Sequence, residues 1–281
     1  MKKIRIACLL FAVANIFIAC KKESSPIKTD SSFSKKLTGS QANLPSSDNW
    51  LQLPGAGTDV GIGANGSVFI TDTTTVSPTG GYGILKWNGS SWTTFSGAAV
   101  RLAVDPQGNP WVINKSHLIF KFNGSAFQQL PGTGTDIGIG ADGSVFITDT
   151  TTVSSTGGFR VSKWNGTSWV VISGASGVRV AVDQSGTPWV VNKSNLIYKY
   201  NGTMFQQVAG SATDIGIGAN GSVYIVGTTL VSTSGGYGIS KWNGTGWTAT
   251  VSGAGINVAV DPQGHPWTVN ASHLIYNNLN L

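Results

Sequence analysis

The chain has 281 residues, of which 38 are Gly, 10 are Trp and only 11% are charged. That composition excludes a charged helical bundle and points to an all-β chain long enough for a sizeable core. The formal charge of +6 is concentrated outside the repeats: eight of the eighteen basic residues precede residue 37, and from Trp50 onward ten Lys/Arg stand against nine Asp/Glu. A repeat region so balanced lacks the basic stripe that phosphate backbones require, which excludes nucleic acid as the expected partner.

At the N-terminus, Lys2, Lys3 and Arg5 precede an apolar run over residues 6–19 that only Asn15 interrupts. Fourteen residues are too few to cross a bilayer, which takes about 20, so residues 1–19 read as an export signal. The run ends Phe17-Ile18-Ala19-Cys20, which resembles the lipobox of bacterial lipoproteins. That resemblance implies cleavage before Cys20, lipidation of its thiol and anchoring in the outer membrane, at the cell surface or on the periplasmic face. Residues 20–49 are rich in Ser, Lys, Thr and Pro and show neither hydrophobic period, as a flexible tether does. Cys8 and Cys20 are the only cysteines, so no disulfide holds the region after them.

From Trp50 the chain repeats itself. Trp92, Trp169 and Trp247 are spaced by 77 and 78 residues, and so are Trp87, Trp164 and Trp242. Inside each long repeat lie two diverged shorter ones, marked by Gly66, Gly108, Gly143, Gly186, Gly221 and Gly264. Repetition at this period signals stacked supersecondary units. In the first unit an Asn65-Gly66 turn separates two β-rich runs, and Asn88-Gly89 separates Ile84-Leu85-Lys86-Trp87 from Trp92-Thr93-Thr94-Phe95. Asn-Gly in such places predicts type I′ hairpins, and each unit becomes a four-stranded antiparallel meander. Six such units predict a six-bladed β-propeller over residues 50–281. The last unit runs out just after Tyr276 without a fourth strand, so the strand opening at Trp50 is expected to complete it and close the ring.

A unit with a Trp-led strand, a D/N-G-x-V/P-W/F run and an L/I-x-K-W/F-N-G run resembles the tectonin repeat, whose relatives include tachylectin-type lectins. The resemblance covers residues 50–281 and implies a propeller that binds glycans or glycoconjugates multivalently, as a monomer without cofactor. A structural or protein-interaction scaffold is the alternative from another class. Residues 72–83, 149–159 and 227–238 are read as long loops on one face, carrying Tyr82, Phe159 and Tyr237 as stacking surfaces. On the same face Asn114, Ser116, Asn192, Ser194, Asn270 and Ser272 are the polar partners a neutral sugar asks for. Gly227 and Ala271 break the pattern, so the third site is expected to be the weakest.

Other constellations point away from chemistry. Three His, a single Glu in the tether and carboxylates confined to turns and strand starts offer neither a triad nor an acid pair, so no enzyme is expected. Asp105, Asp183 and Asp261 open Asp-x-x-Gly turns and are read as turn residues, not metal ligands. Trp111, Trp189 and Trp267 align with Phe69, Phe146 and Tyr224 and are read as packing between blades. Asp59, Arg101, Asp136, Arg179, Asp214 and Asn257 recur seven residues before each marker glycine and are expected to form a ring of ion pairs about the axis.

Overall fold

A computed structural model describes residues 50–281; Cys20, the export signal and the tether lie outside them. The described residues are strands joined by turns. In chain order they are β1 (Leu51–Ala56), β2 (Asp59–Ile62), β3 (Val68–Ser77), β4 (Gly81–Trp87), β5 (Trp92–Ala99), β6 (Arg101–Val104), β7 (Pro110–Ile113) and β8 (Leu118–Phe122). Then come β9 (Phe127–Ile139), β10 (Val145–Ser154), β11 (Gly158–Trp164), β12 (Trp169–Gly177), β13 (Arg179–Val182), β14 (Pro188–Val191), β15 (Leu196–Tyr200) and β16 (Phe205–Ser211). The last are β17 (Asp214–Ile217), β18 (Val223–Ser232), β19 (Gly236–Trp242), β20 (Trp247–Gly255), β21 (Asn257–Val260), β22 (Pro266–Val269) and β23 (Leu274–Asn277).

Consecutive strands pair antiparallel into meanders, the blades of a β-propeller. One sheet holds seven strands because β9 is outermost in one meander and runs on to be innermost in the next. The N-terminal strand behaves as counting requires: β1 pairs with β23, completing the sheet of β21, β22 and β23. Innermost strands adjoin in the order β2, β6, β9, β13, β17, β21 and back to β2. They approach so closely that a Cβ on Gly138 would lie 2.6 Å from the carbonyl oxygen of Val180. Only glycine fits there.

The core is a ring of clusters, each between neighbouring meanders. Trp189, Val191 and Ile197 pack against Ile215, Val223 and Ile225, while Phe69 and Ile84 pack against Leu102, Val104 and Val112. Trp111, Trp189 and Trp267 are at most 5% exposed, so the packing reading of these residues holds. Burying an aromatic of this size removes roughly 150–250 Å² from water.

The turns depart from type I′ geometry. Gly89 has φ of 102°, but Asn88 keeps negative φ and caps the turn by accepting from the Ser90 and Ser91 amides at 3.0 and 2.8 Å. Trp87 pairs with Trp92, so four residues, not two, form the loop. The side-chain cap replaces the second left-handed residue. The long loops are also corrected: they are arms of bulged hairpins. β3 runs on to Ser77, with Thr75 opposite Tyr82 after a register shift.

Candidate functional site

The axial mouth on the hairpin side carries the expected ring. Arg101 lies 3.5 Å from both Asp59 and Asp136, and Arg179 lies 3.1 Å from Asp214. Asn257 takes the place of a third Arg and donates to Asp59 at 3.3 Å. Each carboxylate also accepts from the next blade's backbone, at Leu102, Val180 or Val258, at 2.8–3.0 Å. Burial pushes Asp59 up to about 6 and Asp214 up to about 7, against the pull of the guanidiniums, and raises Asp136 as well. Burial opposes the charge of Arg101, yet Asp59, Asp136 and Asp214 together raise its affinity for the proton. This is a girdle between blades. Behind it the axis narrows to a hollow of about 90 Å³, below the roughly 300–1,000 Å³ of small-molecule sites.

Around that mouth each long hairpin reaches over the next blade's turn. The Lys115 and Ser116 amides donate to Gly80 and Thr79, those of Lys193 and Ser194 to Gly157 and Thr156, and those of Ala271 and Ser272 to Gly235 and Ser234. The structure thus brings the nominated hairpins and turns together, three times over. Within the turns, however, Asn114, Asn192 and Asn270 are buried, and each Oδ1 accepts two backbone amides at 2.8–3.0 Å. They build the turn, and the oxygen expected to meet a sugar is already engaged. Their geometry includes left-handed backbone at His117, Asn195 and His273, residue types that tolerate it. Ser116, Ser194 and Ser272 are exposed.

Tyr82, Phe159 and Tyr237 are half-buried, and Tyr237 packs against the core cluster of Tyr224, Ile239 and Val258. Neighbours on a strand point to opposite sides of the sheet. The residues beside them, Gly83, Arg160 and Gly238, therefore face the other side, and there the geometry differs from expectation. Sequence reasoning missed this surface.

It is a groove beside the tryptophan that opens the fourth strand. Trp92, Trp169 and Trp247 donate Nε1–H to the carbonyls of Pro54, Pro131 and Ala209 at 2.8, 2.8 and 2.7 Å. Each indole lies against a glycine of positive φ; at Gly210 a Cβ would come 2.7 Å from Trp247. In the second repeat Asp149 and Arg160 form an ion pair across the groove, which encloses about 150 Å³. In the first, the Asp72 carboxylate leans over Gly83. In the third, Gly227 and Gly238 occupy the two places and the groove opens to about 660 Å³ beside Thr228, Thr229, Ser240 and Thr250. The missing signal was a pair of absences eleven residues apart.

A second hollow of about 430 Å³ lies along Trp242 and Thr250, with Leu281 as one wall. In the first repeat Phe95 and Phe122 meet edge to face with ring centroids 4.8 Å apart in the matching place; Thr250 and Asn278 stand there in the third. Asp105, Asp183 and Asp261 cap their turns as read, each Oδ1 accepting two amides at 2.8–3.1 Å. Among the described residues no three His, Cys, Asp or Glu side chains gather where they could hold a metal ion.

No family model matches the chain and no curated protein matches it. Solved structures do. A streptogramin B lyase is 14% identical with a TM-score of 0.52, over 83% of this chain and 97% of that one. The WD40 β-propeller domain of Doa1 is 13% identical with a TM-score of 0.52, over 84% and 98%. A gluconolactonase from Xanthomonas campestris is 12% identical with a TM-score of 0.55, over 83% and 90%. At such identity the likeness speaks for fold alone, and the fold it gives this chain is the β-propeller.

Proposed function

We propose that this chain is a lipid-anchored envelope protein whose six-bladed, tectonin-like propeller binds carbohydrate without converting it. The observation that carries the reading is the repeated groove: an indole fixed by its own hydrogen bond, flanked by threonine and serine hydroxyls. A pyranose offers an apolar C–H face and a rim of hydroxyls, and this surface complements both. The cyclic order of the innermost strands and the pairing of β1 with β23 support six blades. What supports a non-catalytic role is that polar groups are engaged in structure. His117 and His273 contact the carbonyls of Gly134 and Gly57 at 3.2 Å, and His265 contacts Asp261 at 2.9 Å.

The protein-interaction scaffold is the second reading, and the fold is consistent with it. It is favoured by one observation: Val76, Val153 and Val231 recur at the same place on the three hairpins and are 50–59% exposed. A glycan array probed with the full chain separates the readings. Carbohydrate binding gives a saturable signal that free sugar competes away; a scaffold gives none. Membrane fractionation tests the anchor, since Cys20→Ala should release the protein and abolish lipid labelling.

A further inference from the structure

The three grooves share a framework but not an opening. We infer that only the third, beside Trp247, is a competent binding site, and that it takes one neutral, pyranose-sized ring. This inference rests on the carbohydrate reading above and replaces three equivalent sites with one. Size separates them first: about 660 Å³ falls within the roughly 300–1,000 Å³ of small-molecule sites, and about 150 Å³ in the second repeat does not. Charge separates them next. The second groove is crossed by Arg160 and Asp149, bonded Nε to Oδ2 at 2.6 Å, and the first is overhung by Asp72. Among the described residues no ionisable side chain lines the third, so a charged ligand finds no counter-ion there while a neutral one meets no desolvated charge.

Ser252 supplies an independent sign. It stands five residues after Trp247, where Gly97 and Gly174 follow Trp92 and Trp169, and all three have positive φ, 59° at Ser252. A serine in left-handed backbone is strained, and strained residues of this kind gather at ligand sites. Among the described residues its Oγ is buried without a hydrogen-bond partner, and Ser252 borders the third groove. The other two repeats have no hydroxyl at that place.

The test uses the full chain carrying Cys20→Ala and, as probe, a mixture of the methyl glycosides of glucose, galactose, mannose, N-acetylglucosamine and xylose, read by saturation-transfer NMR and then titrated singly. Wild-type groove residues should give one site per chain. Gly227→Asp with Gly238→Arg, which rebuilds the second repeat's closure, should weaken binding at least tenfold. A Cβ at either glycine meets nothing nearer than 3.3 Å, so this variant should fold, and a thermal melt verifies it. Asp149→Gly with Arg160→Gly should open a second site. Undiminished binding in the closed variant overturns the single-site inference and leaves the carbohydrate reading standing. No binding of any glycoside overturns both.

Discussion

In the second repeat an arginine and an aspartate bridge the space beside Trp169, while in the third two glycines leave the space beside Trp247 empty. The same two repeats agree elsewhere: Trp189 and Trp267 are both buried, and Asn192 and Asn270 cap their turns alike. What recurs in every repeat builds blades; what changes falls partly on the groove surface and partly at buried positions. The third repeat departs furthest, with Asn257 for an arginine in the axial girdle and Asn277 for the lysine that lies 4.8 Å over Trp111 in the first.

The largest effect should come from the framework. Trp111→Ala should cost about 3–5 kcal/mol, as large-to-small changes of buried aromatics do. Trp267→Ala should cost about 1 kcal/mol less, because among the described residues no lysine lies over its ring and its Nε1 has no partner, whereas Trp111 Nε1 reaches Asp105 at 3.4 Å. Urea denaturation of the two variants checks the order; equal losses would erase the distinction between the repeats.

Next comes the girdle, where the missing arginine leaves three carboxylates to two guanidiniums. Asp59 and Asp214, the carboxylates on either side of Asn257 in the ring, bind protons more tightly folded than unfolded, with Asp214 up to about 7. Between pH 4 and 7 the folded chain therefore holds more protons, and stability falls as pH rises through that window, by an amount on the order of a few kcal/mol. Asp214→Asn should flatten the fall. Denaturation midpoints at pH 5 and pH 8 measure it, and an unchanged slope would place the titration elsewhere.

Much of this is legible in the sequence. Tryptophan spacing gave the repeat, the missing fourth strand required closure by β1, and the alternating Asp and Arg foretold the girdle. The hairpin arms were not legible because β3 beyond Thr71 is exposed on both sides, so no apolar alternation marks Thr73 to Ser77 as strand. The part Asn114 plays in its own turn was not legible, because sequence shows its amide but not the two backbone donors it accepts from. The groove was invisible for a simpler reason. Gly227 and Gly238 meet only when β18 and β19 pair, and two glycines read in sequence as a loss.

Glycine sharpens the comparison at smaller cost. Gly138→Ala forces a Cβ to within 2.6 Å of Val180 oxygen on the neighbouring inner strand, whereas Gly238→Ala in the groove meets only Val231 Cγ2 at 3.7 Å. The first should lose about 1–3 kcal/mol, as overpacking does. The second should be neutral to within about 0.5 kcal/mol. Thermal melts of the pair test whether framework and groove glycines differ as their surroundings say.

Ser252→Gly should have the smallest effect, and its sign is the informative part. Glycine at φ of 59° relieves the crowding that a Cβ suffers in left-handed backbone and removes a buried hydroxyl that has no partner. Against this, the unfolded chain gains the freedom of another glycine, worth about 0.5–1 kcal/mol in the opposite direction. The balance favours the variant by less than about 1 kcal/mol. A variant that melts slightly higher would mark Ser252 as a residue kept at a cost to stability. One that melts lower would mean that serine stabilises the bulge that β20 makes between Ala249 and Ala254, where its register against β19 shifts, and the third repeat would then differ from the others for the sake of the blade.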